Sequence, residues 1–348
     1  MLRKIAVLSV FVCCSLWASA QQTRHFTFHY EFTVRNLTPG APVHVWIPLA
    51  HSDEFQVVRV LSTSGDLPLK KTQEKEYGNW MLYASTEKAT KPEYKFSADY
   101  DVVRREHLST PASAKTVSLS THERQRLLEA DKLVPITGLP AELATKETVN
   151  AKTDEEKARA IYDYVLSNMR YDKTGTGWGH GDTLYACSAK KGNCTDFHSL
   201  FISMARSQQI PAKFEIGFPL PADKSSSEIA GYHCWAEFYL QQRGWVPVDI
   251  SEAWKHQEKR DYFFGAHDTN RVQFTVGRDL TLNPPQAGAP LNYFVYPYVE
   301  VDGKEYINVA TLFSFSNVSD TKTKQASTRT GTAAMAQAPA HHESVVNP

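Results

Sequence analysis

The stretch KGNCTDFHSLFISMAR, residues 191–206, decides how the central part of this chain folds. After Cys194, apolar residues recur at intervals of three and four, which is the spacing of one buried face of an α-helix. These residues are Phe197, Leu200, Phe201 and Met204. Gly192 and Asn193 suit the tight turn by which a chain enters a helix. The pattern therefore predicts a core-packed helix with Cys194 at its N-terminus.

A cysteine in this position has the surroundings of a reactive thiol. The unpaired N–H groups at a helix N-terminus act like about half a positive charge, which stabilises a thiolate. Such a site can lower the pKa of a cysteine from about 8.5 into roughly the 3.5–7.5 range. The same groups can stabilise an oxyanion. We interpret Cys194 as a nucleophile; the alternative is a buried structural cysteine, the usual role of an isolated one.

A second motif, GYHCWAEFYL at residues 231–240, has the composition of a β-strand. Alternation divides the strand into two faces. One face carries His233, Trp235, Glu237 and Tyr239, and the other carries Cys234, Ala236, Phe238 and Leu240. His233 thus points among polar and aromatic side chains, as a catalytic base requires. Cys234 points into an apolar layer and is expected to be inert. A purely structural histidine is the alternative.

A third motif, WVPVDIS at residues 245–251, predicts a further strand over Trp245–Ile250 that ends near Asp249. Joined to the previous strand by Gln241–Gly244, it forms a hairpin. Simple pairing across that loop places Asp249 opposite Ala236, so contact with His233 needs a bulge at Gly244 or a bent strand end. The expected role is to orient the imidazole and stabilise the imidazolium. Otherwise Asp249 is a turn residue.

These three motifs together resemble the transglutaminase-like superfamily, and in particular its secreted bacterial branch, over about residues 150–280. The resemblance implies a papain-like fold in which Cys194 is the nucleophile, His233 the base and Asp249 the third member of a triad. It also implies a preceding β-sandwich. In transglutaminases an upstream tryptophan assists the oxyanion. Trp178 is the candidate for that role here, with Trp235 as a second residue lining the site; the alternative for Trp178 is loop packing.

The whole chain is expected to be α+β: an N-terminal β-sandwich, then a transglutaminase-like domain whose nucleophile helix packs on an antiparallel sheet. Alternation over Phe26–Val34 predicts the first strand. A capping box at Thr153 and Glu156 predicts a helix with Ala158, Ile161, Val165 and Met169 buried. The predicted segments are a signal peptide at 1–20, the sandwich at 22–105, a connecting segment at 106–150, the catalytic domain with C-terminal strands at 151–316, and a disordered tail at 317–348.

The N-terminus has the pattern of a secretory signal. Arg3 and Lys4 precede an apolar run from Ile5 to Trp17, and Ala18-Ser19-Ala20 follows, so cleavage is expected before Gln21. No later stretch is apolar for the length of a membrane span. The sequence therefore predicts a periplasmic or secreted protein with no membrane span after cleavage.

Composition limits the classes of function and site. Removing the signal leaves 36 basic and 38 acidic residues, and this charge of −2 disfavours nucleic-acid binding. Cys187, Cys194 and Cys234 remain; Cys187 and Cys234 form either a disulfide or two core residues. No paired-ligand spacing or dense carboxylate loop is present, so neither a metal nor a cofactor is expected.

Two further residues of the predicted nucleophile helix are candidates for a role in the site. Asp196 is expected to serve the helix N-terminus and its dipole. His198, one turn after Cys194, is a rival base; the alternative is a solvated or core histidine.

The leading hypothesis is an exported thiol enzyme that acts on amide bonds of a protein or peptide substrate through an acyl-enzyme. Water as acceptor makes it a peptidase or amidase, and an amine acyl acceptor makes it a cross-linking enzyme. Hydrolysis is slightly favoured because no acceptor site is visible in the sequence. The alternative is a binding or assembly module of the cell envelope that keeps the fold with little turnover.

Overall fold

A computed structural model describes residues 21–112 and 118–319. The predicted signal peptide at 1–20 lies outside the described residues, and so do residues 320–348 of the predicted tail.

The helices and strands follow one another along the chain in an α+β order. The N-terminal strands are β1 (Thr23–Val34), β2 (Val43–Pro48), β3 (Gln56–Gly65), β4 (Lys70–Gln73), β5 (Trp80–Thr86), β6 (Tyr94–Arg105) and β7 (His107–Leu108). The middle of the chain forms α1 (Thr121–Arg126), α2 (Leu139–Glu147), α3 (Asp154–Asn168), β8 (Arg170–Tyr171), α4 (Thr183–Ala189), β9 (Lys191–Gly192) and α5 (Cys194–Ser207). The remainder forms β10 (Ala212–Pro219), β11 (Ser226–Glu228), β12 (His233–Leu240), β13 (Gly244–Val248), α6 (Ile250–Lys255), a 3-10 turn (Gln257–Lys259), β14 (Ala266–His267), β15 (Arg271–Val276), β16 (Tyr298–Val301), β17 (Lys304–Glu305) and β18 (Val309–Asn317).

Two antiparallel sheets of five strands form the N-terminal part of the fold. Their strand orders are β11-β18-β1-β6-β3 and β17-β16-β2-β5-β4. The face of β1 that alternation predicts to be inward is buried along its length. It consists of Phe26, Phe28, Tyr30, Phe32 and Val34. Buried side chains of both sheets belong to one continuous core, so the two sheets are stabilised as a unit.

The C-terminal strands belong to these two sheets and not to the catalytic domain, which corrects the predicted boundary at residues 151–316. β18 pairs with β1, so that Phe313 lies opposite Tyr30, and β16 pairs with β2, so that Tyr298 lies opposite Trp46. β18 also includes Asn317, the first residue of the predicted tail. Alternation reveals a strand but not its partner, which here lies at the other end of the chain.

The predicted connecting segment at 106–150 also needs correction, because α2 within it packs on α5. Pro140 stands in the first turn of α2, where the missing N–H of proline has no helical acceptor to lose. The same segment also contains α1, which ends at Arg126.

Helix α5, which begins with Cys194, packs on an antiparallel sheet, as predicted. The sheet has the order β13-β12-β10-β15, and α5 lies against β10 and β12. The rings of Phe201 on α5 and Phe238 on β12 are 6.0 Å apart. α3 packs on α5 in turn, with its four predicted apolar residues buried. The capping box at its start is formed: Glu156 N–H donates to Thr153 Oγ1 over 3.2 Å, and Thr153 N–H donates to Glu156 Oε2 over 3.1 Å.

The sandwich and the catalytic sheet share a core. The ring of Phe28 on β1 lies 5.2 Å from Phe218 of β10 and 5.6 Å from Phe274 of β15. β11, which lies between β10 and β12 in sequence, leaves the catalytic sheet and pairs with β18. The segment that leads into His233 is therefore anchored in the sandwich. Among the described residues, no helix has the length and apolarity needed to cross a bilayer.

Candidate active site

Cys194 is the first residue of α5, where the sequence pattern places it. Asn193 caps the helix: its Oδ1 accepts from Thr195 N–H over 2.9 Å, while Asp196 Oδ2 accepts from Asn193 N–H over 2.9 Å. A side chain at Gly192 would collide with the Asp196 carboxylate, which explains the glycine. As the first helical residue, Cys194 has a backbone N–H without an intrahelical acceptor. That group is available to an oxyanion formed next to the sulfur.

His233 and Asp249 are in direct contact. His233 Nε2 lies 2.8 Å from Asp249 Oδ2, with side-chain exposures of 6% and 0%. The other carboxylate oxygen of Asp249 accepts from Glu252 N–H over 3.1 Å and from the Ser251 hydroxyl over 3.2 Å. Because Nε2 is occupied by Asp249, Nδ1 is the ring nitrogen left for Cys194.

The register that brings Asp249 to His233 differs from simple pairing. Leu240 pairs with Gly244 and Ala236 with Val248, so the loop is one residue shorter than predicted. Gly244 makes this turn with a positive φ of 75°, which glycine adopts without strain. Asp249 then follows the end of β13 and caps α6. A bent strand end was one of the two ways in which Asp249 could reach His233. The pattern Asp249-Ile-Ser-Glu252 is an N-cap signal, which predicts that the strand ends here and a helix begins.

The charge states of the site follow from this arrangement. Burial alone would raise the pKa of the Cys194 thiol, but hydrogen bonding to Cys234 and His233 and the charge of His233 bring it well below the usual value. Burial would lower the pKa of His233, but the Asp249 carboxylate and Cys194 raise it to about 10. At neutral pH these directions favour a thiolate beside an imidazolium.

Cys234 lies next to the thiol of Cys194 and not in an apolar layer away from the site, which corrects the prediction for its surroundings. The face of β12 that carries Cys234 packs on α5, and its sulfur is 3.8 Å from His198 Nδ1. Burial and the neighbouring Cys194 raise the pKa of Cys234 well above its usual value, so it remains a protonated donor. Cys187, Cys194 and Cys234 are all free, which excludes the disulfide.

His198 is a core histidine, the alternative stated for it. It is fully buried; its Nδ1 donates to Cys194 O over 2.8 Å, and its Nε2 accepts from Ile250 N–H over 3.1 Å. Burial lowers its pKa and keeps the ring neutral. With both nitrogens engaged, His198 links the start of α5 to the start of α6.

Known proteins share the pattern of this region. Residues 141–250 match the sequence model of the transglutaminase-like superfamily. This segment is a transglutaminase-like domain. An uncharacterised protein of Haemophilus influenzae is 28% identical over 351 positions, which span 87% of this chain and 95% of that protein. The uncharacterised protein YebA of Bacillus subtilis is 26% identical over 147 positions, but these span 38% of this chain and 18% of YebA.

A solved structure supports the assignment of the fold. A Cytophaga hutchinsonii protein assigned as a candidate cysteine protease superimposes with a TM-score of 0.55 at 17% identity. The match covers 85% of this chain and 98% of that one, so it includes the sandwich as well as the transglutaminase-like domain. At this level of identity the likeness is one of fold.

Neither predicted tryptophan directs its indole N–H at the thiol of the transglutaminase-like domain. Trp178 Nε1 donates to Gly175 O over 3.1 Å within its own loop. Trp235 is fully buried, and its Nε1 donates to Glu215 Oε2 over 2.5 Å. Each indole N–H is thus engaged within the protein, which leaves no free donor on Trp178 for the predicted oxyanion role. Trp235 does line the site, since its ring centroid is 5.8 Å from that of His233.

Asp196 serves the helix N-terminus, as expected, and also orders the glycine-rich loop before it. Besides the Asn193 N–H, its carboxylate accepts from Gly179 N–H over 2.7 Å and from Gly181 N–H over 3.0 Å. Arg278 donates to Gly181 O over 3.0 Å from the other side. This loop is therefore fixed against the start of the nucleophile helix by two buried charged groups.

One cleft borders the candidate site. Cys194 is 2% exposed, and His233 lines a cleft of about 630 Å³ with Tyr171, Tyr232, Lys255 and Arg271 among its walls. A second cleft of about 800 Å³ runs along residues 288–298, and its described lining includes none of Cys194, His233 and Asp249. Of these two clefts, the first is therefore the one that reaches the candidate site, through His233.

One buried cluster has side chains of the types that bind metals. His107, Glu237 and His267 offer ligand atoms within 4.8 Å of one another. Lys213 Nζ, however, lies 2.8 Å from Glu237 Oε2, and the buried Arg104 interacts electrostatically with the same carboxylate. A dication placed beside two buried cations would be strongly repelled. The cluster is better explained as an ion-pair network at the junction with the sandwich.

Arg271, which none of the three sequence motifs contains, is a buried residue that contacts Asp249 directly. Its Nη1 lies 2.9 Å from Asp249 Oδ2, the same oxygen that accepts from His233. Arg271 begins β15 and comes from outside all three motifs, and no spacing rule connects it to them. Only the fold brings it to the site.

Proposed function

We propose that this chain is an exported thiol enzyme that acts on amide bonds of a protein or peptide through Cys194, His233 and Asp249. One observation carries the proposal. The imidazole of His233 lies between a helix-terminal thiol of lowered pKa and a buried carboxylate 2.8 Å from its Nε2. Nucleophile, base and orienting acid in this relation are the requirements of covalent acyl transfer.

Each side chain has a role in the proposed reaction. The Cys194 thiolate attacks the amide carbonyl carbon, and the backbone N–H at the start of α5 faces the developing oxyanion. The His233 imidazolium gives its proton to the leaving amine as the C–N bond breaks, which leaves a thioester on Cys194. In the second half, His233 accepts a proton from the incoming water or amine, and the C–S bond breaks. Asp249 holds the imidazole and stabilises its charged form.

We favour water over an amine as the acceptor. Water needs no binding site of its own, whereas an amine must be bound in competition with water in a cleft of about 630 Å³. The expected result is that glutamine-containing peptides yield ammonia or new amino termini without any added amine. A Cys194→Ala preparation gives the background rate. If product appears only after a primary amine such as cadaverine is added, hydrolysis is the wrong assignment and amine transfer replaces it.

Export is the second part of the proposal and rests on the basic, apolar and Ala-Ser-Ala regions of residues 1–20. Expression of the full chain in a Gram-negative host should give a mature protein that starts at Gln21 and is released with the periplasmic fraction. Mass spectrometry of the purified product measures this directly. Recovery from the cytosol with residues 1–20 still attached would contradict export without affecting the proposed chemistry.

A further inference from the structure

We propose that Arg271 is a positioning residue that shares the Asp249 carboxylate with His233 and thereby limits how strongly His233 holds its proton. The inference rests on the proposed function, since it concerns the same site. It extends the triad by a fourth side chain that acts through Asp249 and does not touch the substrate carbonyl.

The contact geometry is that of a shared acceptor. Asp249 Oδ2 accepts from His233 Nε2 over 2.8 Å and from Arg271 Nη1 over 2.9 Å. Both donors are cationic at neutral pH, and both are buried, with Arg271 2% exposed. A carboxylate oxygen that is already bonded to a guanidinium offers less charge to a second partner. Arg271 therefore weakens the attraction between Asp249 and the imidazolium.

The guanidinium is itself fixed on two further sides. Its Nε and Nη2 donate to Asp268 Oδ1 over 3.2 and 3.1 Å. Its central carbon lies 4.7 Å from the ring centroid of Trp235, a cation–π distance. Trp235 is held in turn by its bond to Glu215. These contacts leave Nη1 as the group that faces Asp249, and they make Trp235 a support for the guanidinium.

Asp249 cannot respond to the loss of Arg271 by moving away from His233. Its Oδ1 caps α6 through Glu252 N–H and accepts from the Ser251 hydroxyl, so the carboxylate stays in place. Without Arg271 the whole charge of Asp249 acts on His233. The imidazolium then keeps its proton to higher pH and becomes a poorer acid for the leaving amine.

The test follows two signals in wild type and in Arg271→Met. The first is the rate at which iodoacetamide alkylates Cys194 between pH 5 and 11, which needs no substrate and reports the ionisation of both Cys194 and His233. The second is the pH profile of kcat/KM for the peptide. We expect the alkaline step, set by His233, to move to higher pH in Arg271→Met, and kcat to fall roughly 10²-fold, the cost typical of a disturbed catalytic constellation.

A matched control is Arg206→Met. Arg206 is a second buried arginine, ion-paired to Asp131 over 2.7 Å near the other end of α5. Its loss should lower the melting temperature and leave the alkaline step where it is in wild type. If Arg271→Met does not fold by circular dichroism, Arg271→Lys replaces it. An ammonium is too small to contact Asp268 and Asp249 together, so an intermediate upward shift is expected.

The outcomes separate the inference from the function on which it rests. Wild-type Cys194 that alkylates no faster than an unfolded-chain cysteine at neutral pH contradicts the proposed function itself. A reactive wild-type thiol combined with an unmoved or lowered alkaline step in the folded Arg271 variant overturns the role of Arg271 alone. A shift of the alkaline step to higher pH in Arg271→Met, without such a shift in Arg206→Met, supports the role of Arg271.

Discussion

Replacing Cys194 with alanine should abolish turnover, with a loss of roughly 10⁴-fold or more, because no other group in the cleft can form the thioester. The neighbouring thiol is a poor substitute, since burial, the largest cause of the raised pKa of Cys234, and the charge of Asp249 both remain in the variant. Cys194→Ala removes one small buried side chain, so the fold should survive.

Two other cysteine variants make the test specific. Cys234→Ala removes a donor to the thiolate and should lower the rate by about tenfold at most, the scale of one modest hydrogen bond. Cys187→Ala, in α4, should leave turnover unchanged. Mass spectrometry after brief iodoacetamide treatment should find the label on Cys194 in each variant that retains it. Full activity in Cys194→Ala, or inactivity confined to Cys234→Ala, would show that Cys194 is not the nucleophile.

The start of the nucleophile helix could be predicted because its signals are local. Cys194 precedes a periodic apolar run, and the turn and cap residues Gly192 and Asn193 stand directly before it, so a short window contains everything that sets its position. The capping box of α3 was predictable for the same reason. Strand alternation likewise separated His233 from Cys234 correctly by face.

What the sequence left open depends on contacts between distant segments. Alternation could not show that the face of Cys234 packs on α5, which puts that thiol beside Cys194. Nor could it show that β18 completes the N-terminal sheet, or that Arg271 reaches Asp249 from a strand outside the motifs. The partner of the Trp235 indole N–H was hidden for the same reason, because Glu215 is brought to it by strand pairing. The position of Asp249 is different, because the N-cap pattern from Asp249 to Glu252 is a local signal from which it could have been predicted.

The substitution with the second-largest expected effect is Asp249→Asn, which keeps the size of the side chain and removes its charge. The carboxylate accepts on both oxygens: Oδ2 from His233 and Arg271, and Oδ1 from Ser251 and Glu252. An amide has one accepting oxygen and one donating nitrogen. In either orientation of the new amide, its NH₂ group faces two donors, so one pair of contacts is lost.

The lost pair determines how the enzyme fails. If the amide oxygen keeps the cap of α6, its nitrogen faces His233 and the imidazole loses its orientation. If the oxygen turns to His233, the cap is broken and stability falls by about 1 kcal/mol, the usual value of such a cap. In both cases the negative charge that raises the pKa of His233 to about 10 is gone. We expect kcat/KM to fall roughly 10²- to 10⁴-fold.

The pH profile identifies the cause of that loss. Because the pKa of His233 is raised mainly by Asp249 against the effect of burial, removing the charge should move the alkaline limit of activity to lower pH, opposite in direction to Arg271→Met. Ser251→Ala is the matched control, since it removes one donor to Asp249 and keeps the charge. Turnover in Asp249→Asn equal to wild type, with an unmoved alkaline limit, would remove Asp249 from the site. Opposite shifts of the alkaline limit in the two variants would mean that the Asp249 carboxylate raises the pKa of His233 and that Arg271, bonded to the same oxygen, weakens this effect.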